Sequence, residues 1–194
     1  MRTAARVTRW TAFILTGLFV ALATLFALGY AFEDLPLGSA LLVTAANVLP
    51  LAALVVAVRV WPARAPMVLG IGIALVLVWG VVSNFVEADF PVLPMMTLIL
   101  ALPIAVMGLS RPSIAGMMLL ALAAIPFLSL VVRLVRMRGP EGPGMRTLLS
   151  TSSGAVIVPL ALFSVLFLVA GELGRRIQEG HGLGEQARPW LPDD

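Results

Sequence analysis

Apolar residues follow one another through six long stretches of this 194-residue chain, and charged positions gather between them. The stretches are 11–32, 39–60, 66–86, 92–109, 112–132 and 148–171. A helix crosses roughly 30 Å of hydrocarbon with about 20 apolar residues, whereas a membrane strand needs about ten that alternate. The alternating pattern is missing. Backbone groups cannot go unpaired in lipid, so each stretch is predicted to be helical. The expected fold is all-α, a polytopic transmembrane helix bundle of six spans over 1–171, with a polar C-terminal tail over 172–194. The fourth stretch is the shortest and carries Pro94 and Pro103. Five spans plus a re-entrant 92–109 segment is therefore the alternative.

The first stretch follows Arg2, Arg6 and Arg9, as a secretory signal would. It is longer than the 7–15 apolar residues of a signal, and Glu33-Asp34 follows where small residues would be needed. It reads as a retained span.

Composition supports lipid as the solvent. Hydrophobic residues make up 60% and charged residues 12%, about half the charge of a soluble domain. Mean hydropathy is +1.04. All 13 basic residues are Arg, and Ala, Leu, Val, Gly and Pro dominate, as in a GC-rich bacterial genome. A bacterial cytoplasmic membrane is the expected location. The net charge of +3 reads as a membrane-orientation signal; no nucleic-acid partner is expected, since no basic soluble surface is available. Cys is absent, which excludes disulfides, thiolate metal sites and Cys nucleophiles.

Basic loops stay in the cytoplasm. Arg2, Arg6 and Arg9, then Arg59 and Arg64, alternate with Glu33-Asp34 and with Glu87 and Asp89. This predicts a cytoplasmic N-terminus. The second half does not choose. With six spans the basic 133–146 segment lies outside; with five it lies inside and the tail moves out. Nine Arg fall inside and four outside either way.

Trp10, Tyr30, Phe32 and Trp61 fall at span ends, where aromatic side chains anchor at the interface. Small residues recur at helical spacing: Ala12, Thr16, Ala23 and Ala27; Gly70 and Ala74; Ser150, Gly154, Ala161, Ser164 and Gly171. Such stripes let helices approach closely, within one chain or between two copies. The second and fifth spans share a register of Pro, Leu, Val and Val starting at Pro50 and Pro126. That would fit an inverted 3+3 repeat, a plan used by secondary transporters.

Candidate functional positions are few. Pro50, Pro103, Pro126 and Pro159 lie near mid-span, where proline removes a backbone hydrogen bond and kinks the helix. Asn47, one turn before Pro50, is the one strongly polar side chain near the middle of a span. Its amide can bond a carbonyl freed by the proline, a neighbouring helix, or a ligand. Asn84 and Glu87 lie one turn apart and, with Asp89, Glu33 and Asp34, form either solvated loops or an acidic mouth. Met95-Met96 and Met117-Met118 read as gap-filling side chains. His181 is the only histidine and cannot make a metal site alone. Serines 150, 152 and 153 have no base near them in sequence.

No catalytic chemistry, metal site or cofactor is expected. The expected function is an accessory, scaffold or lipid- and partner-contacting membrane subunit that acts through helix packing. Membrane lipid, a homodimer or a larger membrane complex are its expected partners. The alternative is a small transporter or channel whose path is lined by Asn47, Pro50, Asn84, Glu87 and Pro126.

Overall fold

The computed structural model describes residues 2–82, 92–136 and 152–186. Among the described residues six helices follow one another: α1 Arg2–Asp34, α2 Leu37–Val60, α3 Ala65–Val82, α4 Val92–Gly108, α5 Pro112–Arg136 and α6 Ser152–Gln186. The fold is an all-α polytopic bundle. α1, α2, α3, α5 and α6 are long and apolar enough to cross a membrane; α4 is shorter. Large apolar side chains point outward along the bundle, Leu42 at 72% and Met67 at 71% exposure among them. A water-soluble protein does not carry an apolar surface of this extent. These helices mark the chain as a membrane protein.

Prolines and short turns set the helix ends. α1 closes with the Leu35 N–H donating to the Ala31 carbonyl at 3.1 Å. Pro36, in extended geometry (φ −55, ψ 146), then starts α2. α2 ends with the Trp61 N–H on the Ala57 carbonyl, just before Pro62 interrupts the ladder. α4 ends with the Ser110 and Arg111 N–H groups both donating to Met107 O. Pro112 then occupies the first position of α5, where its missing N–H costs nothing.

Contacts between helices give their directions. A Cβ on Gly72 would meet Leu100, and one on Gly80 would meet Leu93, so α3 and α4 run antiparallel along their lengths. Gly171 meets Ser113 and Gly116 meets Leu168, so α5 and α6 are antiparallel. Gly17 faces Leu102, while Thr24 and Met95 line one cleft, so α1 and α4 are antiparallel. Successive helices thus alternate in direction. One end of the bundle gathers Arg6, Arg9, Arg59, Arg64, Arg111, Arg175 and Arg176. The other gathers Glu33 and Asp34, with the backbone of Arg133 and Arg136.

The short fourth helix is the hub. α4 packs against all five other helices. Around it stand α2, α1, α6, α5 and α3, each in contact with the next. Leu98, Leu100, Ala101, Ile104, Ala105 and Met107 are buried on several sides of α4. At 1.5 Å per residue α4 is about 25 Å long, short for a lone span. Surrounded by protein, it need not match the bilayer by itself, and α3 accompanies it from end to end.

Along the described residues the small-residue stripes pack within the chain, though not always as the sequence predicts; Ser150 lies outside the described residues. Ala12, Thr16 and Ser164 are fully buried. On α3 the inward face is Leu69, Gly72, Val76 and Gly80, whereas Ala74 points outward. Packing on two neighbours, α4 and α5, sets that face, and the Gly70–Ala74 pair reaches only its edge. The two halves are not packed alike. α5 and α6 form the most extensive interface, while α2 and α3 share no comparable one among the described residues. The equivalent prolines differ as well: Pro50 is exposed and Pro126 is buried. The sequence likeness between α2 and α5 therefore has no counterpart in their surroundings.

α6 continues past residue 171 to Gln186. Glu172 supports this turn by accepting hydrogen bonds from Arg175 Nη2 at 2.8 Å and Arg176 Nε at 2.9 Å. Pairs three and four residues apart share one helix face. His181 lies on this extension of the helix.

Candidate functional site

Asn47 sits on α2 at the junction with α1 and α4. It is half-buried, and its Nδ2 donates to the Val43 carbonyl at 2.8 Å. Pro50 frees the Ala46 carbonyl, four residues back; the amide bonds the Val43 carbonyl, three positions earlier, instead. Its oxygen has no hydrogen-bond partner among the described residues. Across the junction the Thr24 hydroxyl is equally without a partner among the described residues. Thr16 and Thr44 behave differently, each donating to the carbonyl four residues back at 2.7 and 2.8 Å.

Between Asn47 and Thr24 lies a cleft of about 30 Å³. Its walls are Ala27 and Leu28 of α1, Val48 and Leu51 of α2, and Met95, Leu98 and Ile99 of α4. The size suits a single water, which needs two to four polar partners. The cleft has two protein groups to offer. It contains no ionisable side chain and no nucleophile paired with a base. What it can do is hold a water, or one small hydrogen-bonding group, within the apolar zone.

The other expected positions fall elsewhere. Pro50 lies one turn on from Asn47, on the exposed side of α2. Pro126 is buried on α5, and α4 stands between α5 and α2. The antiparallel register of Ser113 with Gly171 brings Pro126 level with Pro159 on α6. The two prolines therefore fall at one height of the α5–α6 interface. Asn84, Glu87 and Asp89 lie outside the described residues. Glu33 and Asp34 are exposed at the end of α1. Met95 lines the Asn47 cleft, whereas Met117 is 57% exposed. Among the described residues, no group of three or more His, Cys, Asp or Glu could hold a metal ion.

Sequence reasoning missed Thr24 and Met95 as neighbours of Asn47. One signal was available: Thr24 lies one position past the small-residue stripe of α1, so its side chain points toward a seam. Nothing local in the sequence names α2 and α4 as the other two walls.

No family model, curated protein or solved structure matches the chain. The functional reading rests on its own geometry.

Proposed function

We infer that the protein is an accessory or scaffold subunit of a bacterial cytoplasmic membrane, non-enzymatic and acting through helix packing. One observation carries the reading: the bundle axis is filled by α4, itself enclosed by five helices. A solute path through the middle would have to displace the core. α2 and α1 are the least buried spans, with only Ala40 and Val58 buried on α2, and they offer apolar faces to lipid and to partner proteins. The stripe of α6 at Ser164 and Gly171 is occupied by α5. This favours a larger complex over a homodimer built on that stripe. The basic end belongs in the cytoplasm by the charge rule, with the N-terminus on the same side; six crossings are supported by the alternating helix directions and not by the charge count.

Purification of the full chain in a mild detergent tests the reading. A defined larger complex is expected. A lone monomer under conditions that preserve other complexes from the same membrane would count against it.

A small transporter or channel is the second reading, supported by the Asn47–Thr24 cleft. It requires that Asn47→Leu abolish flux while the protein still inserts and folds. In an accessory subunit the same change alters stability or association and leaves flux untouched.

A further inference from the structure

We propose that the corner where α1, the α4–α5 turn and α6 meet at the basic end binds the phosphate group of an anionic phospholipid, with Arg9 as its inner ligand. Arg9 is half-buried, and its Nε is shut away from solvent without a hydrogen-bond partner among the described residues. An enclosed donor left without an acceptor is costly, and more so when it carries charge. The Nη groups are not among the enclosed atoms and have no hydrogen-bond partner among the described residues, so an anion reaches Arg9 through them.

Helix register identifies the neighbours. Gly17 of α1 faces Leu102 of α4. Eight residues back along α1 and eight on along the antiparallel chain, Arg9 comes level with Ser110 and next to Arg111 in height. Phe19 of α1 and Phe163 of α6 meet edge to face at 5.7 Å. Ten residues along each of these antiparallel helices, Arg9 comes level with Leu173, within a turn of Arg176. The packing of Gly171 on Ser113 joins α6 to the α4–α5 turn at the same height.

The acid nearest in height is Glu172, and it is already held by Arg175 and Arg176. The corner therefore keeps a surplus of positive charge. Guanidinium groups bind phosphate with directed, charge-assisted bonds. Depth fits as well: Trp10, next to Arg9, is 47% exposed and stacked edge-on against Phe13, as interfacial aromatics are at the headgroup level. Anionic headgroups lie at that level on the cytoplasmic leaflet.

The inference rests on the membrane reading above, but the two fail separately. Loss of lipid selectivity leaves the requirement for detergent and any co-purifying complex unchanged. The test follows the unfolding midpoint of the full chain in neutral detergent during three titrations: phosphatidylglycerol, phosphatidylcholine and inorganic phosphate. Phosphatidylglycerol should raise the midpoint saturably, and the other two should not. Arg9→Leu should weaken the apparent affinity at least about tenfold, as expected for losing one charge-assisted bond. Arg59→Leu, at the same end but on α2, should change it little. If Arg9→Leu does not fold, Arg111→Leu, in the exposed turn, takes its place. Equal responses from wild type and the Arg9 variant would overturn the proposal. So would an equal loss with Arg59→Leu, or protection by inorganic phosphate equal to that by the lipid.

Discussion

Gly116 of α5 lies so close to Ser164 of α6 that a Cβ on the glycine would stand 2.9 Å from the serine carbonyl oxygen. It would stand 2.9 Å from the Leu168 backbone nitrogen as well. Backbone atoms cannot turn aside as a flexible side chain can. Gly116→Ala must therefore push α5 and α6 apart, at a cost of about 1–3 kcal/mol for an overpacked interface. Gly174→Ala, with nothing within 4 Å, should be neutral or gain a few tenths of a kcal/mol from helix propensity. Thermal unfolding in detergent compares the two. Equal midpoints would mean that the α5–α6 seam is looser than described.

Burial predicts an inverted pattern of sensitivity for the large apolar residues. Ile104 is fully buried in α4, and Ile104→Ala should cost about 2 kcal/mol or more through the cavity it leaves. Leu42 is 72% exposed on α2, and Leu42→Ala should stay within about 0.5 kcal/mol. A larger loss at Leu42 would reveal a partner helix on that face.

Chain direction predicts which sites share a side of the membrane. Ser110 lies at the same end of the bundle as Ala63, and Gly38 at the opposite end. With no native Cys, single Ser110→Cys, Ala63→Cys and Gly38→Cys variants report cleanly to an impermeant thiol reagent. In intact cells Gly38→Cys should label and the other two should be protected. Labelling of Ser110→Cys together with Gly38→Cys would mean that 92–109 enters and leaves on one side.

If one water joins Asn47 to Thr24, the two side chains share a single interaction. Thr24→Val and Asn47→Leu should then couple by at least about 0.5 kcal/mol in a double-mutant cycle of unfolding free energies. Strict additivity would remove the bridge. The cleft would then be a packing gap between independent groups.

The sequence made the spans legible because lipid imposes length and apolarity on every crossing. Tyr30, Trp61 and the Arg pairs marked the ends for the same reason. It did not reveal that α4 is the hub. A run that is apolar all round is compatible both with lipid and with a protein core, so periodicity cannot tell them apart. Pro50 and Pro126 illustrate the same blindness. They share a local pattern, yet one faces outward and the other sits in the core, because neighbours from distant parts of the chain decide which side is covered. Asn47 was visible as a polar exception. Its cleft was not, since two of its three walls come from other helices.

The central place of α4 also governs the order of assembly. It is fourth to be synthesised, yet two of its walls, α5 and α6, come after it. A ribosome that has delivered only the first four helices leaves the hub half-wrapped, with Gly108 waiting for Phe167. The nascent first half is therefore not a finished object. It must be held, by insertion machinery or by lipid, until the last helix closes the ring against α1.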